Sequence, residues 1–237
     1  MSNQLRFAHG RERSPPSPTN ADGVQRGHLG SPRPVGGSLK RLPDAGLALL
    51  LLVLFLPLFL MVAAAVKLSS PGPVLFGHRR IGHGGRTFRC WKFRTMVTDA
   101  EARLEQVLAT DPAARAEWER DRKLRSDPRV TRLGRALRDY SVDELPQLIN
   151  VLVGEMSFVG PRPVTADELD RYGPAVEAYL AARPGITGLW QTSGRSDTSY
   201  EERVALDSRY VAEWSPALDC MILMRTVPVV LGARGSC

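Results

Sequence analysis

Apolar and polar positions divide this chain into three zones. Residues 1–37 carry few large apolar side chains and many Pro, Ser, Gly and Arg. Such a stretch buries too little surface to offset its ordering entropy, so a disordered basic arm is expected over 1–37. From residue 45 to residue 66 no charged side chain interrupts a run of Leu, Val, Ala, Phe and Met. As a helix that run measures about 33 Å at 1.5 Å per residue, long enough for a bilayer core. Pro57 sits near its middle, deletes one backbone hydrogen bond and kinks the helix there. Lys40 and Arg41 flank one end, and Lys67, Arg79 and Arg80 the other. The positive-inside rule therefore assigns no orientation, and a span and a hairpin returning to the same face stay equally open. A signal peptide cleaved at Ala63-Ala64-Ala65 fits poorly, because the arm is too long for an n-region and the apolar run exceeds an h-region.

Beyond this run the hydrophobic period changes. Ser69-Ser70-Pro71-Gly72-Pro73 stops the helix. Val74-Leu75-Phe76 and residues 87–93 read as short strands joined through Gly82-x-Gly84-Gly85. No helix follows these glycines, so they do not support a nucleotide-binding loop. Arg86, Arg89, Lys92 and Arg94 interleave with Phe88, Trp91 and Phe93, as in a half-buried hairpin with a solvated basic face or a phosphate-binding, membrane-facing strand. A charge-rich helical pair is expected over 99–124, interrupted at Asp111-Pro112, and after Asp127-Pro128 a short basic helix reaches Arg138. Leu145, Leu148, Ile149 and Leu152 recur at helical spacing behind Asp143-Glu144. Further helices are expected over 165–181, with a break near Pro174, over 198–212, opened by a Thr198/Glu201 capping box, and over 215–231. Between them, residues 183–188 and 190–196 form a turn-rich loop whose glycines and arginines suit close backbone approach to an anionic ligand. The expected fold is mainly α with a small β-hairpin, one membrane helix, and amphipathic helices that pack on the core or lie in the membrane interface.

Charge narrows the partners. A net charge of +7 and a pI near 9.8 point to nucleic acid, phospholipid or a phosphorylated substrate. Up to Arg41 the chain holds Arg6, Arg11, Arg13, Arg26, Arg33, Lys40 and Arg41 against Glu12 and Asp22, so most of the excess precedes the apolar run. Cys90, Cys220 and Cys237 are scattered, which gives neither a disulfide framework nor a metal spacing and suits a reducing compartment. His9, His28, His78 and His83 make no zinc-binding pair, and no serine elbow accompanies His83, the last histidine. Walker and kinase motifs are absent from the sequence.

What remains is Asp143-Glu144. Ser141 with Glu144 fits a capping box, and Asp143 could itself be the cap, either of which is purely structural. In the chemical reading, acids at a helix start sit in the positive end of the backbone dipole, which keeps them ionised as metal ligands or nucleophiles. With several cations and a membrane element nearby in sequence, they suit phosphoryl transfer by a carboxylate nucleophile at a lipid surface. A diphosphate substrate there calls for Mg2+, held by one or two carboxylates and the substrate phosphates.

Six motifs carry a family resemblance: Lys40-Arg41-x-x-Asp44, Ser70-Pro71-Gly72-Pro73, Lys92-Phe93-Arg94-Thr95-Met96, Asp143-Glu144-Leu145-Pro146-Gln147, Gly160-Pro161-Arg162-Pro163 and Arg183-Pro184-Gly185-Ile186-Thr187-Gly188. In this order, over about 38–231, the chain resembles the bacterial sugar transferases. These are monotopic phosphoglycosyl transferases that start exopolysaccharide and other surface-glycan assembly, and the likeness is to their minimal form. The resemblance implies a re-entrant membrane helix over 38–70, broken near Pro57, and a catalytic domain over 71–237 on the cytoplasmic face of the plasma membrane. Leu56 stands where some members carry a serine before that proline.

The resemblance also implies roles. Asp143 would attack the sugar-bearing phosphate of a UDP-sugar, expel UMP and hold an aspartyl-phosphosugar that polyprenyl phosphate then takes. Glu144 would ligate Mg2+, Arg138 and Lys92 would balance phosphate charge, and Pro161, Arg162 and Pro163 would seat the uridine diphosphate. Arg94, Arg183 and Arg195 would be further anion contacts. The partners implied are UDP-sugar, polyprenyl phosphate and membrane phospholipid rather than nucleic acid, with homo-oligomerisation left open. Two rivals stand beside this reading. One is a non-enzymatic single-span anchor bearing a basic module for nucleic acid or lipid. The other is a ternary-complex transferase in which Asp143 only binds metal.

Overall fold

The computed structural model describes residues 33–121, 124, 126–193 and 199–231. Residues 1–32 of the expected arm, and Arg195, lie outside the described residues. The apolar run forms two helices, α1 (Gly37–Leu54) and α2 (Leu56–Ser69), which meet at Phe55 with a bend of 64°. Phe55 leaves the helical region with φ −91° and ψ 6°. The break thus falls just before Pro57, which occupies the first turn of α2, where a missing N–H removes no intrahelical bond. Among the described residues no single helix is long and apolar enough to cross a membrane, while the bent pair together meets that length and composition.

The first half of α1 is anchored rather than free. Lys40, Asp44 and Ala48 recur every fourth residue and are buried, whereas Leu42, Leu49, Leu50, Val53 and Leu54 face outward. Lys40 Nζ lies 2.5 Å from Asp219 Oδ2, which also accepts from Trp214 Nε1 at 3.1 Å. The Tyr210 hydroxyl lies 2.8 Å from the other Asp219 oxygen. Ser157 Oγ donates to Asp44 Oδ2 at 2.7 Å. Arg41 donates to the carbonyls of Val151 (2.7 Å) and Leu152 (2.5 Å) at the end of α6 (Gln147–Val153), where helical carbonyls lack intrahelical donors.

β1 (Leu75–Ile81) and β2 (Thr87–Phe93) pair antiparallel, Leu75 opposite Phe93 and Ile81 opposite Thr87. Phe93 packs with Val62 and Val66 of α2 and with Leu137, which ties the hairpin to the bent helix pair. α3 (Ala100–Thr110) and α4 (Pro112–Asp121) follow, broken at Asp111 as the sequence indicated, and α5 (Arg132–Asp139) leads to the acidic turn. β3 (Ser157–Val159) leaves that region, followed by α7 (Ala166–Asp170), a 3-10 turn at Gly173–Ala175 and α8 (Val176–Ala181).

Two expectations need correction. The segment after Arg183 is no simple loop: β4 (Gly185–Thr187) pairs parallel with β3, Ser157 opposite Gly185 and Val159 opposite Thr187, so the hairpin is not the whole of the β-structure. A side chain at Gly160 or Gly185 would collide with the other segment's backbone. These glycines serve the approach of two chain segments to each other. The capping box of α9 (Tyr200–Ala212) is Ser199 with Glu202, one residue later than expected, and Thr198 lies outside the described residues. α10 (Pro216–Leu231) closes the chain. Ala48, Phe88, Leu148, Val151, Met156, Phe158, Tyr210 and Ile222 form the main core, which joins α1, β2, α6, β3, α9 and α10.

Candidate active site

The acidic turn is positioned by the packing of α5 against the end of β2. Thr131 caps α5 by accepting from the Gly134 amide at 2.8 Å, and its own amide donates to the Thr95 carbonyl at 3.0 Å. A side chain at position 134 would strike the Thr95 carbonyl, so glycine there permits the contact. Arg138, in the last turn of α5, then donates from Nε to Thr95 Oγ1 at 2.9 Å. Ser141 reverses the chain in a left-handed conformation, φ 54° and ψ 21°, which costs a non-glycine residue about 1–2 kcal/mol.

Ser141 makes no capping bond, and Val142–Glu144 form a single 3-10 turn. Helix α6 begins only at Gln147, with Pro146 as its cap position. The capping box drawn from Ser141 and Glu144 therefore does not form, nor is Asp143 the cap of α6. Neither carboxylate is occupied in closing a helix end.

Burial sets the electrostatics. Asp143 is 6% exposed, and Lys92 from β2 reaches both acids, its Nζ 2.5 Å from Glu144 Oε1 and 3.9 Å from Asp143 Oδ2. Burial pushes the Asp143 carboxyl up to about 6; Lys92 and Arg138 oppose the rise and Glu144 adds to it. For Glu144, burial pulls the same way, but Lys92, Arg162 and a hydrogen bond from Gln147 overcome it and hold the group below its ordinary value. The neighbouring acids are thus driven apart, one firmly ionised and the other titrating near neutrality. The helix-dipole expectation for Asp143 fails here: a three-residue turn has little dipole, and burial outweighs it.

The donor set fits a magnesium ion of the substrate-bridging kind. Two adjacent carboxylates, one held ionised, can share such an ion with phosphate oxygens and water. Among the described residues no group of three or more His, Cys, Asp or Glu could hold a metal with protein ligands alone.

The other residues singled out from sequence divide into two groups. Pro161 is fully buried, its carbonyl accepts the Gly185 amide at 2.8 Å, and Val164 bridges to Ile81 of β1. Exposed Arg162, next to half-buried Pro163, therefore stands on a stiff segment, with its guanidinium carbon 5.8 Å from the Trp190 ring centroid. Its charge is felt at Glu144. Arg94 is elsewhere engaged: buried, it donates to the carbonyls of Ser70 (2.7 Å) and Pro71 (3.0 Å) and so closes the end of α2. Arg183 donates from Nε to the Gly154 carbonyl at 2.9 Å, close to Arg41 and Asp44. Sequence reasoning gave no role to Thr95, Gln147 or Arg203. Arg203 lies over the same Trp190 ring at 4.7 Å, and nothing in its local sequence announces that contact.

The sequence profile of a family described as "Bacterial sugar transferase" matches residues 35–233. The chain is 53% identical over 207 residues to the exopolysaccharide production protein ExoY of Sinorhizobium fredii (strain NBRC 101917 / NGR234), an alignment that covers 87% of this chain and 92% of that protein. It is 49% identical over 198 residues to the undecaprenyl-phosphate galactose phosphotransferase of Salmonella typhimurium, covering 84% of this chain and 41% of that protein. With the UDP-glucose:undecaprenyl-phosphate glucose-1-phosphate transferase of Caulobacter vibrioides the identity is 44% over 200 residues, covering 81% of this chain and 69% of that protein.

Proposed function

Since the chain belongs to the bacterial sugar transferase family, we propose that it transfers a sugar-1-phosphate from a UDP-sugar to polyprenyl phosphate and releases UMP. An oxygen of Asp143 attacks the sugar-bearing phosphorus. The bond from that phosphorus to the bridging oxygen breaks, and its electron pair leaves with UMP. A phosphate oxygen of the polyprenyl acceptor then attacks the same phosphorus and restores the carboxylate. Lys92 and Arg138 offset the repulsion between the carboxylate and the diphosphate and keep Asp143 ionised at the moment of attack. Mg2+ held by Glu144 would supply neutralisation of the departing phosphate. Arg162 holds the nucleotide half of the donor.

The observation that carries this reading is one turn with a buried, high-pKa carboxylate beside an ionised one, both reached by a single lysine. That is the arrangement of a nucleophile beside a metal ligand. Relatives named for exopolysaccharide production and for undecaprenyl-phosphate transfer support the polyprenyl acceptor and a first membrane step in glycan assembly. The bent α1–α2 pair, with its outward leucines, supports a re-entrant element in one leaflet at the cytoplasmic face of the plasma membrane. Cysteines introduced at Ser38 and Ser70 would then label from the same side of the membrane.

Rapid-quench measurement of UMP from UDP-sugar without lipid acceptor tests the covalent route. A burst approaching one UMP per enzyme is expected. Its consistent absence, with turnover intact once acceptor is added, would instead favour direct transfer in a ternary complex.

A further inference from the structure

Five buried polar atoms among the described residues lack a hydrogen-bond partner, and three of them lie on or one helical turn from the neighbours of one side chain: Gln191 Oε1, Arg203 Nε and Asp207 Oδ1, the others being His83 Nε2 and Arg94 Nε. The side chain is Trp190, itself buried. Gln191 follows it in a 3-10 turn, Trp190–Thr192, and Arg203 places its guanidinium 4.7 Å from the ring centroid. Arg162 reaches the same ring at 5.8 Å. Asp207, one turn beyond Arg203 on α9, accepts from the Tyr172 hydroxyl at 2.9 Å and lies within reach of the Arg162 charge.

Two guanidiniums thus share one indole, and neither makes an ion pair among the described residues. Elsewhere among the described residues Lys40 pairs with Asp219, Arg80 with Glu168 and Arg129 with Asp127. An aromatic face returns part of the cost of holding one cation but does not cancel the repulsion between two. A phosphate accepts from two guanidiniums at once and would satisfy the unpartnered Arg203 Nε.

We infer that Arg203, together with Arg162, contacts the phosphate of the nucleotide half of the donor, with Trp190 as the platform that holds both guanidiniums. This rests on the UDP-sugar reading above. When the bridging oxygen leaves with UMP, its phosphate gains a negative charge. Two unpaired cations stabilise that charge more than they stabilise the uncleaved diphosphate, so Arg203 assists departure as well as binding.

The test compares wild type with Arg203→Gln and Arg203→Lys, all as full-length membrane-reconstituted protein, with thermal unfolding as the check on folding. For Arg203→Gln the inhibition constant of UMP and the KM for UDP-sugar are expected to rise together by at least tenfold. The KM for polyprenyl phosphate stays at its wild-type value, and Arg203→Lys recovers part of the loss. Unchanged UMP inhibition in a folded Arg203→Gln protein, or an equal rise in both KM values, would overturn the assignment. A wild-type protein that turns over but is not inhibited by UMP at all would overturn the donor reading itself.

Discussion

Beneath α1, Lys40, Asp219, Tyr210 and Trp214 share contacts of 2.5 to 3.1 Å, and Asp44 is held by Ser157. Around the acidic turn and Trp190 the pattern differs: Lys92 stands 3.9 Å from Asp143, and Arg203 Nε and Asp207 Oδ1 have no partner. Both regions bury charge. The first satisfies it within the fold and so works as an anchor. The second leaves it incompletely satisfied, and the phosphorylated donor proposed above would relieve that.

Breaking each region in turn sharpens this contrast. Asp143→Asn keeps the shape of the turn and removes the charge of the proposed nucleophile, so on that proposal UMP release in the presence of acceptor falls at least about a thousandfold. Next in size, Lys40→Ala leaves the largely buried Asp219 carboxylate without its cation and lowers stability by about 3 kcal/mol in urea unfolding, through the fold rather than the chemistry. A combined Lys40→Met, Asp219→Leu change recovers most of that loss if the anchor is purely structural.

The same Asp143→Asn variant gains stability, and the gain depends on pH. The folded pKa of Asp143 lies at about 6, above its ordinary value of 3.8, so the native state disfavours the carboxylate. Wild type therefore loses stability as pH rises from about 4 through 6, by about 3 kcal/mol at most, while the neutral variant does not. Unfolding temperatures measured at pH 8 and pH 4 would show the variant ahead at the first and level with wild type at the second. Smallest of all, Arg209→Ala removes an exposed pair with Glu213 and changes stability by less than about 0.5 kcal/mol. A larger shift there would show that exposed pairs also act as anchors, which would blur the distinction.

Much of the frame was legible because it follows local rules. Pro71-Gly72-Pro73 ended a helix, alternating apolar residues made β2, and the breaks at Asp111 and Pro174 fell where the prolines placed them. The β3–β4 pair was hidden, since two three-residue strands joined in parallel across several helices leave no periodic trace. The acidic turn was found, but its mechanism was misjudged. Asp143 looked like a helix opener, whereas the left-handed Ser141 and the late start of α6 leave it in a short turn where burial governs. Arg94 and Arg183 illustrate a further difficulty: their partners are main-chain carbonyls of Ser70, Pro71 and Gly154, and a carbonyl has no letter in the sequence. For Arg203 the missing information was tertiary, because its partner Trp190 sits on a separate turn.

The clamped stripe of Lys40, Asp44 and Ala48 has a mechanical corollary. A helix bolted to the protein along its first half works as an outrigger, with its inclination dictated from the protein side. Where a bilayer is thinner or thicker than that stance suits, the lipid has to deform around the molecule rather than re-tilt it. If α1 and α2 enter the bilayer as proposed, membrane thickness would register as a change in how tightly the protein is held, while the angle between the acidic turn and the bilayer stays fixed.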